Sequence, residues 1–284
     1  MRYTKNKMTN IFFGKRSNLT EQLEGRLDNC ISIKSNDIDT FFKGPDWQNI
    51  HTCNVVINSS HPSNNLNDLS DPNAYIQNSI INTAKILNYL SDNKSSKVKK
   101  LIYTSSSAVY GNNPFSDEQS STSPINLYGA LKLANEKLVE KLCNAHSIPF
   151  AIARVFNMFG GNDNFSIISK IEKAFLDNKN FNLVNEGSSI RDFIHIKNVV
   201  DAYIGILESQ SSGIFNICSG KGLSVFEIIN FLSSHEINLK FRKIYLTEIN
   251  KSTGDNSKLL KILGSDYIFI DVRDSLLKRL TKIE

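Results

Sequence analysis

Cysteine is scarce in this chain of 284 residues, and Cys30, Cys53, Cys143 and Cys218 fall in neither a C-x-x-C pair nor any metal-ligand spacing. That argues against a disulfide framework or a zinc cluster, and leaves them as small core side chains in a reducing compartment. Long apolar runs are missing as well. The longest, LIY at 101–103 and IPFAIA at 148–153, fall far short of the roughly 20 residues that cross a bilayer, so no membrane partner is expected. The opening MRYTKNKMTN is polar and runs into IFF with no apolar signal region, which places the expected location in the cytoplasm. Nor does one sign of charge dominate: the net charge is +5. The densest basic cluster, KVKK at 97–100, is too small for a nucleic-acid face. Lys97, Lys99 and Lys100 stand where a helix would end before a strand, so their expected role is a solvated cap on the helix dipole. An anionic small molecule stays open as a partner.

What the chain does have is apolar material for a core. A hydrophobic fraction of 40% against 21% charged suits a chain that folds. Its length fits one α/β domain with a smaller attached lobe. Short apolar strands recur at 10–13 (NIFF), 31–33 (ISI), 54–58 (NVVIN), 99–105 (KKLIYTS) and 148–155 (IPFAIARV). Helix-length stretches lie between them. In YIQNSIINTAKILNYLSDN, at 75–93, the helical period sets Ile80, Ala84, Leu87 and Leu90 on one face. The series is βαβ, which builds a parallel, doubly wound sheet with its ligands at the carboxyl ends of the strands. Between Asp37 and Cys53 there is room for one helix at most, around IDTFFKG, so part of the usual half is trimmed. After Gly160 the pattern loosens into loops, helices and short strands.

The first strand runs into GKRSNLT at 14–20, where the glycine fingerprint of a dinucleotide-binding Rossmann fold would read G-x-x-G-x-x-G. Only Gly14 is kept. Ser17 stands where backbone approaches pyrophosphate and Thr20 where helix packs on strand. Their hydroxyls can donate to a phosphate, and Lys15 and Arg16 put two cations on the same turn, with Asn18 and Leu19 completing the candidate loop. Lys15 and Arg16 read equally well as solvated loop charges. An acidic residue ending the second strand would bond the ribose of NAD, but this strand reads ISIKS. Lys34, with Ser35 and Arg16, can instead neutralise a 2′-phosphate, so the expected cofactor is NADP (NADPH) rather than NAD.

The most specific local signal is LIYTSSSAVYG at 101–111 followed by INLYGALKLANEKL at 125–138. Tyr128 and Lys132 are four apart in a helical stretch and share a face, bringing an ammonium close to a phenol. A tyrosine titrates near ~10, so acting near neutrality asks for a fall of about 3 units, roughly 4 kcal/mol, within reach of a cation in a partly dry site. By themselves these residues also fit an ordinary helix face beside a polar strand end.

In order along the chain, TSSSAVYG, the Y-x-x-x-K of Tyr128 and Lys132, RVFNMFG at 154–160, RDFIHIKNVVDA at 191–202 and FNICSGKGLSVFEI at 215–228 resemble extended short-chain dehydrogenases/reductases acting on nucleotide sugars. The resemblance covers about residues 10–230. It implies an α/β fold, a doubly wound parallel-sheet Rossmann domain with a smaller C-terminal substrate-binding lobe. It also implies catalysis by Ser106, Tyr128 and Lys132, with Ser105 and Ser107 as neighbours competing for the role of Ser106. The cofactor site would further draw on Ser59, Ser60 and Asn78 besides Tyr128 and Lys132. Ser107, Asn157 and Arg191 would meet a nucleotide-diphosphate sugar. The expected division is a dinucleotide domain over 1–160, rejoined by strands near 191–217, and a substrate lobe over 161–284, assembled as a homodimer.

Four reactions fit such a resemblance. Related 4,6-dehydratases carry an Asp-Glu pair where this chain has Ser107 and Ala108, related decarboxylases also place a carboxylate there, and GDP-fucose synthases place a cysteine at the position of Ala108. Elimination, decarboxylation and 3,5-epimerisation are therefore not expected. A UDP-galactose-type 4-epimerase holds NAD through its cycle and has the full glycine fingerprint with its acid, both absent here. The GKRS loop and NVVINSS, at 54–60, instead resemble the NADPH-dependent 4-ketoreductases of the GDP-fucose synthase and dTDP-4-dehydrorhamnose reductase kinds. The expectation is NADPH-dependent reduction of a 4-keto-6-deoxy nucleotide sugar, in deoxysugar and surface-polysaccharide (lipopolysaccharide) biosynthesis. A 4-epimerase and a non-catalytic dinucleotide-binding scaffold are the alternatives.

Among the remaining residues, Arg191 suits a diphosphate because its planar fork meets phosphate oxygens in pairs, or else it pairs with Asp192 or Glu186. His195 reads as a packing histidine, and Arg154, inside an apolar strand, as structural. Gly220 and Gly222 read as turn residues before a helix capped by Ser224 with Glu227 three residues on.

Overall fold

The computed structural model describes residues 8–58, 72–91 and 97–281. The apolar runs become strands β1 (Thr9–Phe13), β2 (Cys30–Ile33), β3 (Cys53–Ile57), β4 (Val98–Ser106), β6 (Phe150–Val155) and β10 (Gly213–Ile217), with β5 (Phe115–Ser116) set apart from them. These six form one sheet in the order β10-β6-β4-β3-β1-β2, and the pairings among β2, β1, β3 and β4 are parallel. This is the Rossmann-like arrangement, and its strands are apolar on both faces because helices cover both. α1 (Asn18–Glu24), α5 (Asn82–Ser91) and α6 (Leu127–Ala145) supply much of that cover.

The trimmed connection is visible directly. Between β2 and β3 there is no further strand but two short helices, α2 (Ile38–Lys43) and α3 (Pro45–Asn49), where one had been expected; Gly44 and Pro45 break them apart. β2 is left as the sheet edge. The aromatic rings of this short insert replace the missing layer: Phe42 stacks on Phe13 at 5.6 Å and on Tyr89 at 4.6 Å and meets Trp47 edge-on at 5.0 Å.

The long helix expected over 75–93 is interrupted. α4 (Pro72–Ile76) runs into a π-turn at Gln77–Ile81 before α5. The extra residue per turn rotates the buried face, which becomes Asn82, Thr83, Ile86, Leu87 and Leu90, leaving Ile80 and Ala84 half-buried. The lysine cluster also differs from a solvated cap. Lys97 lies 5.2 Å over the Trp47 ring and donates to the Trp47 carbonyl at the end of α3, and Lys100 is buried in β4, donating to the Ser211 carbonyl at 2.7 Å. Only Lys99 is exposed.

Two compact units divide the chain: 1–109 with 124–154 and 203–215, and 110–123 with 155–202 and 216–284. In the second, β9 (Ile190–His195) is flanked by β11 (Gly222–Ser224) and β13 (Lys251–Gly254), with β7 (Asn157–Phe159) also on β9. α7 (Ile167–Leu176), α9 (Val225–Ser233) and α11 (Val272–Thr281) close a separate apolar core around Ile171, Ile228, Leu232 and Leu276. α9 begins with the expected capping box of Ser224 and Glu227. Gly220 is a turn residue at φ +78°; Gly222 instead sits inside β11, where a Cβ would lie 2.7 Å from the Ile190 side chain. No helix among the described residues is long and apolar enough to cross a membrane.

Candidate active site

β4, in the middle of the sheet, ends at Ser106. Its last residues split by strand alternation: Ser105 turns inward and is buried, donating to the Glu136 carboxylate, while Ser106 stays half-buried at the strand end. Ser107 and Ala108 follow in a 3₁₀ turn, both half-buried. The packing thus separates the three serines that sequence alone left in competition.

α6 presents Tyr128 to this strand end. Asn126 caps the helix by accepting from the Gly129 N–H at 2.8 Å, and Gly129 packs its bare Cα against the turn: a Cβ there would lie 2.6 Å from the Ala108 carbonyl oxygen. This close approach brings Tyr128 within hydrogen-bond reach of the Ser106 hydroxyl. One turn later Lys132, 3% exposed, places its Nζ 5.8 Å over the Tyr128 ring and donates to the Thr104 carbonyl at 2.6 Å.

The electrostatics differ from the expectation that Lys132 would pull the phenol down. Burial pushes the Tyr128 phenol up, and the Ser106 hydrogen bond only partly offsets it. Lys132 itself is lowered to about 7 by burial, with Glu136 as the opposing influence. In this dry pocket loss of hydration outweighs the attraction between the two groups. The Glu136 carboxylate is held in a buried ion pair with Arg154, Nη2 to Oε2 at 2.7 Å.

The dinucleotide loop follows β1. Gly14 adopts φ +113°, and a Cβ would lie 2.9 Å from that of Asn58. The left-handed backbone and the tight packing against Asn58 leave no room for a side chain, so the first fingerprint glycine, the tight-turn residue, is irreplaceable. Lys15, Arg16 and Lys34 are exposed and, among the described residues, form no ion pair; Ser17 and Asn18 are half-buried beside them. This donor set fits an anionic dinucleotide. Two expectations change. Leu19 is buried at 2%, so only its backbone could serve a ligand. Thr20 is fully buried; its hydroxyl donates to the Gly14 carbonyl at 3.0 Å and accepts from Asn58 Nδ2 at 2.6 Å, so it holds the loop instead of meeting a phosphate. Asn78 is half-buried in the π-turn, and its neighbour Ser79 is what accepts from Asn135 on α6, at 3.0 Å. Ser59 and Ser60 lie outside the described residues.

In the second unit, Asn157 is partly committed, donating to the Asp192 carbonyl at 3.0 Å. Arg191 pairs with neither Asp192 nor Glu186 but with Glu248, Nη2 to Oε2 at 3.0 Å. Asp192 is fully buried and accepts from Ser219 N, Ser219 Oγ and Gly220 N at 2.8, 2.7 and 3.0 Å; burial lifts it to about 6. His195 is 8% exposed, lowered to about 4 by burial, and lies edge-on to Phe159.

Comparison with known proteins places this geometry among relatives. The model of the NAD dependent epimerase/dehydratase family matches residues 23–218. The match begins after the glycine-poor loop. The chain is 29% identical over 208 residues to a GDP-6-deoxy-D-talose 4-dehydrogenase of Aggregatibacter actinomycetemcomitans, covering 70% of this chain and 69% of that protein. It is 28% identical over 204 residues to a UDP-glucose 4-epimerase of Halalkalibacterium halodurans, covering 63% and 60%. The chain spans less than two thirds of the length of two further curated relatives, 62% for the uncharacterized protein MJ1055 of Methanocaldococcus jannaschii and 48% for protein CapI of Staphylococcus aureus. Among solved structures, Thermus thermophilus UDP-glucose 4-epimerase in complex with NAD superposes with a TM-score of 0.82 at 15% identity, covering 96% of this chain and 98% of that one. The UDP-glucuronic acid 4-epimerase of Bacillus cereus, with UDP-glucuronic acid and NAD, gives 0.78 at 19%, covering 98% and 100%. At these identities the structures establish a shared fold.

Proposed function

Because the chain belongs to the NAD dependent epimerase/dehydratase family, we propose that it is an oxidoreductase-type enzyme working at C4 of a nucleotide-diphosphate sugar, as a 4-epimerase. The observation that carries the reading is the meeting of Ser106, Tyr128 and Lys132 at the carboxyl end of β4. The 4-epimerases among its relatives and fold neighbours favour epimerisation over the one-way reduction expected from Lys34 and from the resemblance of the GKRS loop and NVVINSS to 4-ketoreductases.

Tyr128 is the proton shuttle at O4: its phenolate takes the hydroxyl proton as the carbonyl forms and its phenol returns it as the carbonyl is reduced. Ser106 hydrogen-bonds the same oxygen and stabilises the charge that develops there. Lys132, its Nζ 5.8 Å over the Tyr128 ring, is the cation placed to stabilise the phenolate, against the burial that raises the phenol and lowers the lysine. Gly14, Lys15, Arg16, Ser17, Asn18 and the Leu19 backbone would hold a dinucleotide, with Asn78 and the Lys132 side chain toward its nicotinamide end. A bound nicotinamide would supply the acceptor and donor of hydride for C4. Asn157 and Arg191 are assigned to the nucleotide sugar, which requires the Arg191 guanidinium to exchange Glu248 for phosphate. Ser107 and Ala108 offer no acid or thiol, so elimination is not part of the cycle.

A second reading, NADPH-dependent 4-ketoreduction, is favoured by Lys34. It stands exposed at the end of β2 where NAD binders carry an acid, and forms no ion pair among the described residues. The 4-dehydrogenase relative is compatible with it. Heat-releasing the cofactor from fresh protein separates the two: retained NAD, with interconversion of UDP-sugar C4 epimers and no net NADPH use, supports the epimerase. Empty protein that oxidises NADPH against 4-keto-6-deoxy nucleotide sugars supports the reductase. Inertness in both assays refutes both. Dimerisation through two helices of each subunit is part of the proposal and is tested by light scattering.

A further inference from the structure

In the parallel register Phe13 pairs with Ile57, and Ile57 with Tyr103. The next residue of each strand, Gly14, Asn58 and Thr104, therefore stands in one row across the carboxyl ends of β1, β3 and β4. Hydrogen bonds join the row. Thr20 Oγ1 donates to the Gly14 carbonyl at 3.0 Å, Asn58 Nδ2 donates to Thr20 Oγ1 at 2.6 Å, and Thr104 Oγ1 donates to Asn58 Oδ1 at 2.6 Å. The Tyr203 hydroxyl, fully buried on α8 (Ile196–Glu208), lies 2.8 Å from Thr104 Oγ1. Each hydroxyl has one proton, and that of Thr104 is given to Asn58, so Tyr203 is the donor and the chain runs one way, from Tyr203 to Gly14. The backbone carbonyl of Thr104 is the acceptor for Lys132 Nζ at 2.6 Å.

We propose that Thr104 is the positioning residue of Lys132, and that through Asn58 and Thr20 the same buried chain sets the dinucleotide loop and the lysine in register. The proposal rests on the reading of Tyr128 and Lys132 given above. Thr20 occupies the place of a fingerprint glycine; its hydroxyl braces the loop that the lost glycines leave unspecified. The titratable groups around Lys132 are the phenols of Tyr103 on β4, Tyr128 on α6 and Tyr203 on α8, and the Glu136 carboxylate, itself paired to Arg154 of β6. Without its side-chain ties to Asn58 and Tyr203 the end of β4 is less fixed, and the Thr104 carbonyl that accepts from Lys132 Nζ can shift away from it.

The test is Thr104→Val, nearly isosteric but unable to donate, beside Thr104→Ser, which keeps the hydroxyl. The Lys132 side chain is titrated by ¹⁵N-lysine NMR in the full chain, assigned with Lys132→Met, and kinetics are run on the turnover proposed above. Thr104→Val keeps the backbone carbonyl but removes the side-chain ties that fix it, so the Lys132 titration is expected to fall, by at most the about one unit that full loss of a charge-assisted hydrogen bond carries. It lowers kcat at least about tenfold with the sugar KM nearly unchanged, as loss of alignment does. Thr104→Ser restores both. Thr20→Val weakens dinucleotide binding about tenfold and Thr20→Ser does not. A folded Thr104→Val protein with the wild-type Lys132 titration overturns the proposal. If that variant does not fold, Tyr203→Phe takes its place: a smaller downward shift supports the chain and an unchanged titration overturns it. Should wild type turn over no nucleotide sugar, the functional reading fails while the titration still decides this one.

Discussion

Gly129→Ala is the sharpest perturbation this site allows. The added Cβ would lie 2.6 Å from the Ala108 carbonyl oxygen, 2.9 Å from Pro124 Cβ and 3.1 Å from the Ala108 carbonyl carbon. Two of the three are backbone atoms, which cannot swing aside. Restoring ordinary contact moves the first turn of α6 away from the turn after Ser106 by about 0.8 Å, and overpacking of this kind costs about 1–3 kcal/mol. Replacing a helical glycine returns about 0.5–1 kcal/mol. The net loss is about 1–2 kcal/mol, a fall of about 3–6 °C in Tm for a unit of this size. Catalysis is hit harder, because Tyr128 rides on the turn that moves. A displacement near 1 Å at a reacting group costs up to about a hundredfold, so kcat is expected to fall ten- to a hundredfold while the sugar KM changes little. Ala130→Gly is the control: Ala130 is exposed on the same turn, so that variant loses about 1 kcal/mol of helix stability and keeps kcat. Differential scanning fluorimetry and initial rates read both quantities. A Gly129→Ala enzyme with wild-type Tm and kcat refutes the close-approach argument.

Three further outcomes follow from the buried charges. Lys132 has a folded pKa lowered to about 7 from 10.5, so the unfolded chain binds the extra proton between those values; the stability cost is full below about pH 7 and fades as pH rises toward 10.5. Lys132→Met should flatten that rise in denaturant titrations, and an unchanged pH profile would contradict the burial. Glu136→Gln strands Arg154 without its buried counter-charge and is expected to cost about 3–5 kcal/mol by urea unfolding, whereas replacing both residues by methionine costs far less. Asp192 has its pKa raised to about 6 from 3.8, so its contribution to stability declines as pH rises through that window. Asp192→Asn removes this dependence and, by losing an acceptor for Ser219 and Gly220, lowers Tm at pH 5 as well as at pH 7.

Much of the sheet was legible because its strands are short apolar runs with helix-length spacers, a pattern that local periodicity reports. The π-turn at Gln77–Ile81 was not, since a single inserted residue leaves the composition of the stretch unchanged while rotating its face. The trimmed half showed in the chain length between Asp37 and Cys53, but not the break into two helices, although Gly44-Pro45 is a readable breaker. Thr20 was misread because a hydroxyl's partner depends on what lies across the sheet: Asn58 is 38 residues away.

The amino-acid sequence by itself pointed to the candidate site: a tyrosine and a lysine four apart on a helix share a face in any right-handed helix, and a serine run ends the strand before them. Tertiary structure decided which serine faces the phenol, why position 129 admits no side chain, and that Arg191 answers to Glu248. It also decided that burial governs the pair, pushing the Tyr128 phenol up and lowering Lys132, expected to depress the tyrosine, to about 7. Those outcomes depend on contacts between residues far apart in the chain and on the desolvation they impose, and neither is written in spacing.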